Sequence, residues 1–219
     1  MSVDWDFGDG NTATAPIEEP VTHTYDVPGE HPVTADLGDE QQLTKPLPVT
    51  SPNLLPANAA SFEDGTTGGW TPAGAGVSLA TTDARAADGI YSLAVTQLSD
   101  DNNRAEGPWV QPFALMGRRI TFMASAWSDE TVGVRLSYWR RTQAGAVMPG
   151  LNIAVGMTVY ARQWTVMRGE IVVDSTVAGV RPAFTLPYYG TRGTYYIDRV
   201  GIFLGSVPSS DWALPPETP

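Results

Sequence analysis

The sequence predicts an all-β protein made of two sandwich modules, a small one over residues 1–50 and a larger one over 51–206, followed by a Pro-rich extension over 207–219. Three observations carry this reading. Gly (22) and Pro (18) are scattered through the 219 residues, a density that punctuates short strands and leaves little room for long helices. Apolar and polar residues alternate with a period of two in several stretches, as half-buried strands require. A composition of 42% hydrophobic and 17% charged residues is that of a packed chain, not a disordered one.

In the first module Val3 to Phe7 reads as a strand. Gly8-Asp9-Gly10 supplies residues that accept positive φ, as a tight hairpin demands, and Asp9 can bond its own turn backbone. A second extended piece ends at "THTY" (22–25). A Pro28-Gly29 turn precedes a strand over 31–37, "GDE" (38–40) turns again, and residues 41–49 return. The prolines of "KPLPVTSPN" (45–53) lock φ and favour an extended, semi-rigid linker.

On "WDFGDG" (5–10) and "HTYDVPGEHPVTADLGD" (23–39) this module resembles the PKD domain, an immunoglobulin-like sandwich. Trp5, Asp6, Phe7, Gly8, Asp9, Gly10, His23, Thr24, Tyr25, Gly29 and Val33 carry the resemblance. It implies that Tyr25 acts as a tyrosine corner, its hydroxyl bonding back to the backbone. In that family two strands precede the Trp-Asp-Phe-Gly-Asp-Gly run, so the module reads as a short variant. It would leave an unpaired edge or an uncovered apolar face, and such edges recruit partner strands. A subunit contact through residues 1–50, and hence an oligomer or larger assembly, is the expectation. The extension, with Trp212, reads as a docking peptide or a disordered end.

The larger module holds strand candidates separated by turn signals, the pattern of a sandwich or jelly roll. In "RITFMASAW" (119–127), Ile120, Phe122, Ala124 and Ala126 share one face. In "VGVRLSYWR" (132–140), Val132, Val134, Leu136 and Tyr138 oppose Gly133, Arg135, Ser137 and Trp139. "WTVMRGEIVV" (164–173), "VRPAFTL" (180–186) and "TYYIDRVGIFL" (194–204) follow. On "NLLPANAASFEDGTTGGWTPAG" (53–74), "DGIYSLAVT" (88–96), "RQWTVMRGEIVV" (162–173) and "TYYIDRVGIF" (194–203) the module is similar to carbohydrate-binding jelly rolls of the family 4/9/22 type.

Trp127 and Trp139 are the ligand-platform candidates, since both lie opposite the apolar faces of their strands. If those strands are neighbours, the two indoles, Met123 and Arg135 share one surface. Sugar rings stack on indoles while Arg and Ser bond hydroxyls. Protein contact and core filling are the other roles open to these tryptophans. Trp70 and Trp164 are expected in the core. Trp109 reads as a loop anchor or a cover over the sandwich edge, "PYYGTRGTYY" (187–196) as a hairpin contact surface, and "SDDNNR" (99–104) as a solvated loop.

Asp198 shares strand parity with Tyr196, Val200, Ile202 and Leu204, so it is expected to point inward, where a carboxylate must be paired or hydrogen-bonded. The jelly-roll resemblance implies Glu63, read as lying on the first strand, as its neighbour. Together they would hold a structural calcium ion, with Ser61 and Asp88 completing the oxygen shell. The alternative is an Asp198 that only bonds backbone N–H groups or an Arg.

Several functions are disfavoured. Residues 1–52 carry ten acidic side chains against Lys45 alone, and the whole chain is −11. It has no basic stripe, which disfavours nucleic acid. It has no Cys and therefore no disulfide, thiolate metal site or Cys nucleophile. No apolar run approaches a membrane span, so no membrane insertion is expected, and no signal peptide is visible. His23 and His31 are the only histidines, which excludes a Ser-His-Asp triad within the larger module. A glycosidase needs two carboxylates, and nothing in the sequence arranges Glu63, Asp64, Asp83 or Glu106 as a pair flanking a cleft.

With no visible signal peptide, no Cys, no catalytic constellation and two small β-modules of kinds used on virion surfaces, the chain also resembles minor tail proteins of tailed bacteriophages. That resemblance implies a non-enzymatic structural and adhesion protein of the virion. Its partners would be other virion subunits, reached through residues 1–50 and the extension, and a host cell-surface glycan. A capsid decoration protein and a glycan-binding module pair from a secreted bacterial glycoside hydrolase remain open alternatives.

Overall fold

The computed structural model describes residues 2–23, 25, 29–38, 41–49, 53–97, 103–110, 118–186 and 193–207, with backbone alone at 29, 30, 48 and 49. The loops expected at 99–104 and 187–196 fall partly outside these residues, and the extension beyond 207 falls wholly outside. Among the described residues the protein is all-β apart from one short helix, and the chain divides into two compact units, Met1–Ser51 and Pro52–Pro219.

In the first unit β1 (Ser2–Asp6), β2 (Thr12–Pro16), β3 (Gly29–Asp36) and β4 (Gln42–Val49) form one antiparallel sheet in the order β2-β1-β3-β4. In the β1–β2 turn Asp6 and Asp9 each accept a backbone N–H two residues on, from Gly8 at 2.8 Å and Asn11 at 3.0 Å. Gly8 is required twice: its φ is +71°, and a Cβ would lie 2.7 Å from Pro32 Cδ.

Two expectations for this unit are corrected. Residues 17–23 and Tyr25 form no strand; they carry an aromatic ladder instead. Phe7 stacks on His23 at 4.1 Å between centroids, His23 meets Tyr25 edge-on at 4.6 Å, and Tyr25 packs on His31 at 4.4 Å. The Tyr25 hydroxyl is buried with no hydrogen-bond partner, so ring packing, not a tyrosine-corner bond, holds the residue. The predicted linker begins later than its prolines suggest, because residues 45–49 complete β4, with Pro46 opposite Pro32. A missing N–H is harmless on the solvent side of an edge strand.

The second unit opens with α1 (Ala57–Ser61), which ends at Phe62 with φ +61°. Two antiparallel sheets follow. The front sheet contains β5 (Thr71–Ala73), β8 (Arg104–Glu106), β10 (Val132–Thr142), β11 (Asn152–Val159) and β13 (Val177–Thr185), in the order β11-β10-β13-β8-β5. The back sheet contains β6 (Val77–Thr82), β7 (Ser92–Gln97), β9 (Arg119–Ser128), β12 (Thr165–Val172) and β14 (Gly193–Leu204), in the order β12-β9-β14-β7-β6.

The predicted alternation sets the inner faces. Ile120, Phe122, Ala124 and Ala126 of β9 join Val134 and Leu136 of β10 in one core, with Val180, Phe184, Ile197 and Ile202. Phe122 stacks on Tyr138 at 5.2 Å, and Trp70 on Phe184 at 5.4 Å. The Trp70 Nε1 donates to the Ala59 carbonyl at 2.9 Å, which satisfies the indole in an apolar setting. Each such buried aliphatic or aromatic side chain contributes about 1.5–3 kcal/mol. Trp164, expected in the core, is only half-buried just ahead of β12.

Candidate functional site

β9 and β10 are consecutive in the chain but belong to opposite sheets, so their outward side chains point away from each other. The four expected platform residues therefore do not share one surface. Trp139 and Arg135 lie on the outer face of the front sheet; Trp127 and Met123 lie on the outer face of the back sheet.

On the front face the strand register arranges side chains in transverse rows. Arg135 is opposite Thr185, which is opposite Arg104. Ser137, Ala183, Glu106 and Thr71 form the next row. Trp139 is opposite Arg181. Neighbouring strands lie about 4.8 Å apart and alternate residues about 6.7 Å, so these rows form a compact grid.

Glu106 ties the grid together. Its Oε1 accepts Arg104 Nε at 2.6 Å and Trp139 Nε1 at 2.8 Å, and its Oε2 pairs with Arg181 at 2.6 Å. Arg181 also donates to the Gly107 carbonyl at 2.6 Å and to Thr71 Oγ1 at 3.0 Å. The Arg104 guanidinium lies 5.2 Å from the Trp139 ring centroid, within cation–π range. Burial acts to raise the Glu106 carboxyl, but the hydrogen bonds from Arg104 and Trp139 and the charge of Arg181 outweigh it and hold the group below its ordinary value. Further along, Arg141 covers Trp109 at 4.7 Å. The result is a half-buried indole, fixed by its N–H and flanked by forked cations.

Sequence reasoning singled out Trp139 and Arg135 but not Arg104 or Arg181, and weighed Glu106 only as an unpaired carboxylate. Arg104 and Glu106 occupy a three-residue strand, too short to show a period. Their i, i+2 spacing, which puts both on one face of any strand, was the available signal.

On the back face the candidates are covered. Met123 is fully buried with Phe203 and Val207, under a segment that returns over the sheet: Thr121 Oγ1 donates to the Gly205 carbonyl at 2.7 Å, and Arg168 Nε to the Val207 carbonyl at 2.7 Å. Trp127 is 5% exposed, edge-on to Tyr196 at 5.4 Å and beneath the Arg85 guanidinium at 4.7 Å. Neither offers a ring face to a ligand.

Asp198 is completely buried, but not on the inner face. Tyr196 pairs with Trp127 and Asp198 with Ser125, then the register slips before Gly201 pairs with Met123. Arg199, at φ +50°, sits in this bulge, which returns Ile202 and Leu204 to the core. Asp198 Oδ2 accepts the Ala87 and Asp88 N–H groups at 2.8 and 3.0 Å, and Oδ1 accepts the Arg199 N–H at 2.7 Å. Burial, opposed by these N–H groups and reinforced by the charge of Glu63, leaves its pKa pushed up to about 6. Glu63 lies in the turn after α1, not on a strand, and accepts N–H groups from Ile90 and Tyr91.

The charge of Glu63 acts on Asp198, and the Ser125 hydroxyl, cross-strand from Asp198, is buried without a partner. The Ser61 hydroxyl donates to the Ala57 carbonyl at 3.0 Å, which leaves its lone pairs and its own carbonyl as oxygens a cation would use. Among the described residues no cluster of three or more His, Cys, Asp or Glu exists, so backbone carbonyls would have to complete a shell.

Two five-stranded antiparallel sheets packed on one core, with a polar and aromatic outer face on one of them, define the larger unit as a jelly-roll β-sandwich of the kind found in carbohydrate-binding modules. The PKD domain family matches residues 1–46 of the smaller unit. No curated protein matches the chain. Among solved structures, the chain is similar to the CBM22-1 xylan-binding domain of Paenibacillus barcinonensis Xyn10C, at 20% identity over 72% of this chain and 97% of that one, with a TM-score of 0.56. The C-terminal family 22 carbohydrate-binding module of Clostridium thermocellum Xyn10B matches at 19% identity over 68% and 95%, with a TM-score of 0.55. The enzymatically active domain of bacteriophage CBA120 tailspike protein 4 matches at 15% identity over 69% and 21%, with a TM-score of 0.52. These likenesses establish the fold. Among the described residues no helix is long and apolar enough to cross a membrane.

Proposed function

We propose that the chain is a non-enzymatic adhesion protein that binds glycan on the front face of its jelly roll, with Trp139 as the stacking platform. The observation that carries this is the indole itself: half-buried, locked by its bond to Glu106, and ringed by the half-buried Arg104 and Arg181 and the exposed Thr71 above the buried Ser137 and Ala183. Such a ring meets the apolar face of a sugar with little loss of side-chain entropy, while the neighbouring donors reach its hydroxyls. Glu106 is the one carboxylate in these rows. It is held ionised between two arginines, which suits positioning and not general-acid work; hydrolysis calls for a second carboxylate across the scissile bond. The xylan-binding neighbours support the glycan reading. The tailspike neighbour supports the finer one, a minor tail protein of a tailed bacteriophage that meets host cell-surface glycan. A calcium ion held by Glu63 and Asp198, with carbonyls near Ser61 and Asp88, would have a structural role on the opposite sheet. Residues 1–50 and the extension would join other virion subunits.

The test is retardation of the full chain in native gels containing soluble xylan or host cell-wall polysaccharide. Wild type should be retarded, and Trp139→Ala should lose at least about tenfold in affinity, roughly 1.4 kcal/mol. A wild type that no glycan retards overturns the reading.

A further inference from the structure

We infer that the ligand of the front face is an acidic polysaccharide, one whose carboxylate or phosphate groups recur along the chain; this rests on the reading of that face as a glycan surface. The protein as a whole is acidic, at −11. Yet the outward positions of β8, β10 and β13 carry Arg104, Arg135, Arg141 and Arg181 against Glu106 as the one acid among the described residues of those strands. The face thus holds a net positive charge on a chain of the opposite sign.

These cations are not all spent on the fold. Arg104 and Arg181 are committed to Glu106. Arg135 makes no hydrogen bond or ion pair among the described residues, and its stem passes over Gly156, where a Cβ would stand 3.5 Å from its Cγ. Arg141 is half-buried and stacked over Trp109, with one terminal nitrogen out of reach of solvent, so it adds positive charge at the end of the row rather than a free fork. Arg135 and Arg141 lie six residues apart on β10, a span of about 20 Å, with Trp139 between them. That is a row of cation, indole and cation along one strand. A neutral glycan would use the indole and offer the cations only uncharged hydroxyls. An acidic glycan would stack on the indole and pair its anion with the Arg135 fork, since a guanidinium matches the two oxygens of a carboxylate or phosphate, with the charge of Arg141 adding attraction at the far end. Repulsion from the acidic remainder of the protein makes such binding depend on this row, not on overall charge.

The full chain is titrated in native affinity gels with polygalacturonate, with glycerol-phosphate teichoic acid, and with neutral xylan, at low and high salt. Polygalacturonate or teichoic acid should bind at least about tenfold more tightly than xylan, with the advantage shrinking as salt rises, and the stronger of the two identifies the anion. Arg135→Gln should weaken the acidic polymer several-fold more than it weakens xylan. Xylan binding as tight as either acidic polymer, and lost in Trp139→Ala, overturns this inference and leaves the glycan reading standing. Binding of none of the three overturns both.

Discussion

The two outer faces of the jelly roll obey the same strand parity and end differently. On the back sheet the outward Met123, Trp127 and Asp198 are sealed, the first under residues 205–207 and the others under residues 85–88. On the front sheet the outward Trp139, Arg135 and Arg181 remain partly open. Parity decides which side a residue faces; loops decide whether that side is surface. A tryptophan opposite the core is therefore not yet a binding residue.

Removing one indole at a time is the strongest way to break this comparison. Trp127→Ala should cost about 3 kcal/mol in denaturant unfolding, as for a buried aromatic, and leave glycan affinity intact once folded. Trp139→Ala should do the reverse. Equal destabilisation by both would contradict the assignment of the two faces.

The back face should also betray itself through pH. Asp198 has a folded pKa of about 6, above its ordinary 3.8, so the folded state holds the proton more tightly. Its contribution is fully present below about pH 4 and is lost as pH rises through 6, amounting to roughly 3 kcal/mol by pH 7. Asp198→Asn should flatten that slope in thermal melts. Calcium should raise the wild-type melting temperature at pH 7, and a chelator should reverse the gain. A calcium-insensitive melt would remove the ion from the account.

Glu106→Gln sharpens the front face. It leaves Arg104 and Arg181 without their carboxylate and should cost about 1–2 kcal/mol, less than a fully buried pair because both arginines are partly exposed. The smallest effect belongs to the first unit. Its Asp9, bonded to His23 at 2.7 Å, is held at a pKa of about 2, chiefly by that hydrogen bond. This carboxylate contributes stability above about pH 4 that is lost as pH falls toward 2, opposite in sign to Asp198. Asp9→Asn should remove that acid limb from the melt of the first unit.

The parts of the fold legible in the sequence were those written in local periodicity. The alternation in β9 and β10 identified the core-facing residues because one face of each strand is apolar. The positions of the Gly8 turn and of β14 followed from turn chemistry and pattern in the same way. Strand neighbours were not legible: β6 and β7, or β10 and β11, are consecutive and paired, whereas β9 and β10 are consecutive and lie in different sheets. The Asp198 bulge left no mark either, since Arg199 gives no hint of a positive φ. Half of the candidate site was visible, in Trp139 and Arg135. The other half depends on β8 being placed two strands away from β10, a long-range fact that "RAE" cannot encode.

The central claim, that Trp139 and not Trp127 meets the ligand, can be read from the indole resonances of the seven tryptophans. In an ¹⁵N correlation spectrum of the full chain titrated with polysaccharide, the Trp139 Nε1–H and Arg104 Nε–H signals, both bonded to Glu106, should shift in a saturable way. Those of Trp70 and Trp127 should stay in place. Shifts at Trp127 with Trp139 unmoved would contradict the account.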